Sequence, residues 1–119
     1  MDLPPTHADL QEQLLALGVS DAAQVILGVR PSVLRMLPRF WLTGCELLVV
    51  ESELATLFAV STSYRSVKQM LATAPVSATV CQERALGRQM VVTWPDGNRI
   101  VLDGRANVAR ARAALGREA

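Results

Sequence analysis

The sequence has little of the equipment that metal sites and most cofactor-free enzymes need. Among 119 residues there is one histidine, His7, near the N-terminus, and two cysteines, Cys45 and Cys81, in apolar surroundings with no shared spacing. A zinc site wants three or four Cys, His or carboxylate ligands that converge. None can be assembled from this sequence, so no metal is expected, and the thiols read as small hydrophobes kept reduced. Nucleophilic catalysis has no histidine to draw on beyond His7, and Glu51 and Glu53 read as a solvated pair beside a turn. Long apolar runs are also missing. The stretches 22–29 and 47–50 fall far short of the roughly 20 residues that a membrane span requires. The first residues, Met1 to Pro5, put no positive charge ahead of an apolar stretch, so no secretory leader is expected and the cytoplasm is the default location.

An excess of one charge is absent as well. Twelve basic and 11 acidic side chains leave a net charge of +1, and the two signs are interspersed. That gives little long-range attraction to a phosphate backbone, so nucleic acid is not the leading partner. Lysine is nearly absent, Lys68 being the single one among the 12 basic residues.

What is present is apolar. Half of the residues are hydrophobic, and a chain of this length forms one domain that buries roughly two-thirds of its unfolded surface. The apolar residues exceed what one small core covers, and such a surplus marks interfaces. Some of it is therefore expected to face a second subunit or another protein.

Along the chain, Thr6 and Asp9 resemble a capping box ahead of a helix over residues 7–17, in which Leu10, Leu14 and Leu17 share a face and Gly18 is the stop. Ser20 and Asp21 open a second short helix over 20–27, ended by Gly28 and Pro31. Residues 1–39 thus read as a mostly helical lead-in. From Phe40 the character changes: 46–50 and 56–60 read as a strand hairpin, 63–72 returns to a helical pattern, and 76–81, 89–93 and 99–102 are three more strands. The last two flank the turn Trp94-Pro95-Asp96-Gly97-Asn98. Residues 83–88 read as a polar loop, and 107–115 is a closing helix. The expectation is a single α+β domain: a small antiparallel sheet or split-barrel-like core at 40–119, with N-terminal helices, one inserted helix and a C-terminal helix.

One segment carries chemistry. Where the strand ending at Val60 gives way to the expected helix, the hydroxyls of Thr62 and Ser66 and the ammonium of Lys68 lie close in sequence. Free N–H groups at a helix start, hydroxyl donors and a cation suit a phosphate, although capping by Thr62, Ser63 or Ser66 with a solvated Lys68 explains the same residues. The order Thr62, Ser66-Val67-Lys68, Pro75, Val76-Ser77, together with the strand 99–102 followed by Gly104-Arg105-Ala106, resembles the flavin-binding split-barrel family of the pyridoxamine 5'-phosphate oxidase type. The resemblance covers residues 46–108. It implies a two-fold homodimer and an FMN phosphate held by Thr62, Ser66 and Lys68. The cation that the family usually places on the preceding strand is missing, since 46–51 is Glu-Leu-Leu-Val-Val-Glu.

Three functional readings follow. The favoured one is a small non-enzymatic regulatory protein with the cofactor lost, acting as a homodimer that binds another protein, such as a transcription regulator, through an apolar surface including Leu10, Leu14, Phe40 and Trp41. The first alternative is an FMN-dependent oxidoreductase of the resembled family. The second is a helix-turn-helix DNA-binding protein over residues 18–37, with Gly28 at the turn.

Overall fold

The structure, a computed structural model, describes residues 3–30, 44–61 and 64–117. Among these residues it is an α+β fold with one seven-stranded antiparallel sheet and two α-helices. The helix α1 is Ala8–Ala16 and the strands are β1 Gln24–Val29, β2 Cys45–Glu51, β3 Leu54–Val60, β4 Val67–Pro75, β5 Val80–Arg84, β6 Gln89–Thr93 and β7 Arg99–Asp103, followed by α2 Arg105–Ala114. Across the sheet the order is β4-β3-β2-β1-β7-β6-β5.

The sheet consists of two meanders joined at a narrow seam. β1 pairs with β2 at six positions, but with β7 only at Val29↔Val101. At that seam Gly28 permits a close crossing: a Cβ there would lie 2.6 Å from Ile100 Cγ1 and 2.8 Å from the Val101 carbonyl oxygen. Any larger side chain would push β7 away.

The edge strands β4 and β5 are consecutive in sequence, which forces the sheet to curl. Seven flat strands would put them ~29 Å apart, at ~4.8 Å per strand spacing. The five residue steps from Pro75 to Val80 reach at most about 18 Å. The crossing, with a 3₁₀ turn at Val76–Ala78, is held at several points. Val76 N–H donates to the Glu53 carbonyl (2.8 Å), the Thr79 hydroxyl to Val76 O (2.7 Å), and Arg117 to Thr79 O (2.7 Å). From the far side the buried Trp94 indole N–H donates to Ala55 O at 2.9 Å, tying the end of β6 to β3.

Each face of the curled sheet has its own core and its own helix. Inside the curl, Ile26, Leu48, Leu57, Met90, Trp94, Ile100 and Leu102 pack with Val108, Ala111 and Leu115 from α2 and the residue that follows it. On the outer face, Val25, Leu47, Val49, Phe58 and Val60 pack under Leu10 and Leu14 of α1. β2 is consequently buried on both faces, which is why residues 47–50 are uniformly apolar rather than alternating.

Several expectations are corrected. The segment expected to be a helix at 20–27 runs into the central strand β1 at Gln24, so the helical lead-in is interrupted and the helix-turn-helix loses its first helix. A short apolar run with β-branched Val25 and Ile26 fits helix and strand alike by periodicity, and pairing on both sides decides for the strand. The inserted helix at 63–72 is likewise absent, being the edge strand β4. Its Lys, Gln, Met, Leu and Ala favour helix by propensity, but Ala72 and Ala74 are buried alternately with exposed Thr73, and tertiary pairing overrides propensity. The Thr6–Asp9 capping box is not formed: His7 is the N-cap, without a side-chain cap bond. At the other end of α1 the predicted stop is present as a Schellman motif. Gly18 has φ +93°, Gly18 N–H donates to Leu15 O (3.1 Å) and Val19 N–H to Leu14 O (3.0 Å). That turn carries Leu17 out of the leucine face, leaving it 61% exposed, and puts the buried Val19 in its place. Residues 83–84 belong to β5, with a 3₁₀ turn at Ala85–Gly87 beyond them.

Candidate functional site

The outer face of the first meander carries a groove between α1 and the strands β3 and β4. α1 is clamped onto the start of β4 through one side chain, Gln13, whose Oε1 accepts from Val67 N–H (2.8 Å) and whose Nε2 donates to Arg65 O (3.3 Å). A nine-residue helix spans only about 14 Å, so the strands run on beyond it. Two adjoining depressions result, of about 520 and 360 Å³, and they share Leu17, Phe58 and Met70. Their lining includes the apolar Ala16 on α1, Val49 and Val67. Leu17, Met70 (58% exposed) and Leu54 (47%) stand along the groove.

The backbone of β4 is irregular where it borders the groove. Its register against β3 shifts twice, so that Leu71 and Lys68 are the extra residues of two bulges. Such bulges re-aim side chains at a sheet edge. Lys68 is exposed at the polar rim with Gln13 and Gln69.

The expected phosphate-binding residues are only partly brought together. Thr62 lies outside the described residues. Ser66 sits in the turn before β4, where Arg65 N–H (3.0 Å) and Ser66 N–H (3.1 Å) both donate to Ser61 Oγ, and Ser61 N–H donates to Ser66 O (2.9 Å). Among the described residues no helix begins there, and the N–H groups of Tyr64, Arg65, Ser66 and Val67 are already paired, so they do not supply the free donors on which the phosphate expectation rested.

The expected partner surface also changes. Phe40 and Trp41 lie outside the described residues. Leu10 and Leu14 are wholly buried beneath α1 and form core rather than surface, because their i, i+4 spacing points both at the sheet. Along the groove the exposed apolar residues are instead Leu17, Leu54 and Met70, while Leu15, Val80 and Leu86 are exposed outside it.

Other groups have structural partners. Glu51 Oε1 accepts from Ser20 N–H (2.9 Å), so it is not simply solvated. Tyr64 donates its hydroxyl to Gly28 O (2.7 Å) and stacks on the His7 ring, with centroids 5.8 Å apart. Burial, then the neighbouring Cys45 and Glu46, push the Tyr64 phenol well above its usual range. Burial likewise raises the Cys81 thiol, which disfavours the reactive thiolate. Among the described residues no three His, Cys, Asp or Glu side chains converge, and no helix is long and apolar enough to cross a membrane.

Sequence reasoning passed over Gln13, whose role depends on a strand 54 positions away, and Glu46, which it read only as part of a strand lacking a cation. Comparison of the chain with protein-family models, with curated proteins and with solved structures gives no match. A curled antiparallel sheet by itself identifies no family, since one architecture hosts many functions.

Proposed function

We propose that this is a small non-enzymatic regulatory protein that acts, as a homodimer, by binding another protein through the apolar groove between α1 and β4. The observation that carries the reading is the groove itself, with three large apolar side chains in a row and a polar rim of Gln13, Lys68 and Gln69. Scattered exposed hydrophobes need no explanation, but a contiguous apolar trough beside a strand edge is the form of surface that docks an amphipathic or extended segment. Among the described residues β4 has a strand neighbour on one side only, so a docking segment can pair with its outer backbone except where Gln13 holds Val67 N–H and Asn98 holds Leu71 O.

The test compares wild type with the double variant Leu17→Glu/Met70→Glu, both shown to be folded by circular dichroism. Each is immobilised and exposed to extract of the native cell. A protein retained by wild type, absent from the variant and rebinding after purification supports the reading. Identical retention by both sinks it. Sedimentation at micromolar concentration tests the dimer. FMN binding that is lost in Lys68→Ala would replace the reading with the flavin alternative.

A further inference from the structure

Inside the curl, on the face opposite the groove, one carboxyl group is buried without an adequate partner. Glu46 is the second residue of β2 and points to the same face as Leu48 and Val50. Its cross-strand neighbours are Gly28 and Ala59, neither of which has a polar side chain. The residue is 1% exposed. Its Oε2 lies 3.7 Å from Arg30 Nε, too far for a hydrogen bond, and its Oε1 has no hydrogen-bond partner among the described residues. An orphaned buried acceptor is costly, and the rest of this strand face is aliphatic, so packing alone gives no reason for a glutamate here.

Glu46 borders a cavity of about 180 Å³ whose other walls are Arg30, the β6–β7 turn residues Gly97 and Asn98, and Arg99 at the start of β7. The turn is rigidly placed. Asn98 Nδ2 donates to Asp96 Oδ2 (2.9 Å) and to Leu71 O (3.3 Å), while Asn98 N–H donates to Asp96 Oδ1 (2.9 Å). Both guanidinium side chains belong to exposed residues at the mouth, whereas the carboxylate is buried. The arrangement therefore has an acceptor anion deep and donor cations at the rim.

That polarity selects a ligand class. A simple anion would meet the buried carboxylate, and a simple amine would have to pass two arginines. A molecule with an ammonium group at one end and a carboxylate a few bonds away satisfies both ends. The volume, below the ~300 Å³ at which drug-sized pockets begin, suits a small metabolite. We propose that this cavity binds a free α-amino acid, its ammonium donating to the Glu46 carboxylate and its carboxylate held by Arg99 and Arg30. The proposal stands apart from the protein-binding groove, which lies on the other face of the sheet, and either can fail alone.

The test is isothermal titration and thermal unfolding of the whole chain at pH 8 with the common L-amino acids. Each is paired with its N-acetyl derivative, which removes the ammonium, and its methyl ester, which removes the carboxylate. At least one amino acid is expected to bind and to raise Tm with the logarithm of its concentration. Both derivatives of that amino acid should bind on the order of tenfold more weakly, or worse, because each loses a charge-assisted contact. Glu46→Gln, which keeps the shape and so the fold, should lose the ammonium-dependent part, and Arg99→Ala at the exposed rim the carboxylate-dependent part. No binding by any amino acid at about 1 mM, the weak end of specific affinity, overturns the proposal. So does binding that survives Glu46→Gln, or equal binding of the N-acetyl derivative.

Discussion

The two faces of the sheet bury their apolar side chains by different means. The inner face closes on itself: strands of both meanders converge on Trp94, and α2 adds the last side. The outer face of the first meander cannot close, because the sheet curves away from it, and it is covered by the nine-residue α1. Curling in one direction makes a full core on one side and a partly covered surface on the other. The apolar surplus in the sequence is thus not spread evenly, and what remains exposed of it includes the groove where α1 is too short.

The largest expected effect tests that asymmetry in the inner core. Trp94→Ala should cost about 3–5 kcal/mol, by cavity formation and by orphaning the Ala55 carbonyl, and should do so in a single cooperative transition. On the outer face, Leu14→Ala should cost about 2–4 kcal/mol. Hydrogen exchange should then show α1 released while β6 and β7 stay protected. Equal loss of protection throughout would break the distinction between the faces.

Glu46 sharpens the comparison, since it puts a charge in the face whose core is otherwise apolar. Burial raises its carboxyl from 4.5 to about 7 against the opposing pull of Arg30. The folded protein thus holds a proton that the unfolded chain has released, so stability falls as pH rises from about 4.5 to 7 and the full penalty applies above that window. Glu46→Gln should be more stable than wild type at pH 8, by up to about 3 kcal/mol, and the difference should shrink to less than about 1 kcal/mol at pH 5. Urea titrations at the two pH values read this directly.

A smaller effect belongs to the β2–β3 hairpin. Ser52 and Glu53 both have positive φ, 48° and 65°, the geometry of a two-residue type I′ turn without its usual residues. Replacing them by Asn and Gly should raise stability by about 1 kcal/mol. The smallest effect is at the groove: Leu17→Glu/Met70→Glu should change stability by less than about 0.5 kcal/mol, as expected of exposed sites, while abolishing partner capture.

Much of the local structure was legible from short-range signals. Leu10 and Leu14 at helical spacing, the Gly18 stop, the paired runs around residues 46–50 and 56–60, and the turn at Pro95-Asp96-Gly97 each announce an element without reference to the rest of the chain. β1 and β4 were not legible, because their local preference is ambiguous or helical and only their neighbours in the sheet make them strands. Of the candidate site, the sequence showed that apolar surface was in excess but pointed to Leu10 and Leu14, whose spacing buries them. Glu46 gave no signal, since its burial depends on residues near positions 28, 59 and 98.

By itself the sequence determined an α+β domain with an antiparallel sheet, a first helix ending at Gly18 and a closing helix, since these follow from periodicity, turn chemistry and capping within a few residues. Tertiary structure decided the rest. A crossing too short to span a flat sheet forces the curl, and the curl chooses which face becomes a sealed core and which keeps a groove. The same geometry carries Glu46 inside, a residue whose neighbours lie far away along the chain.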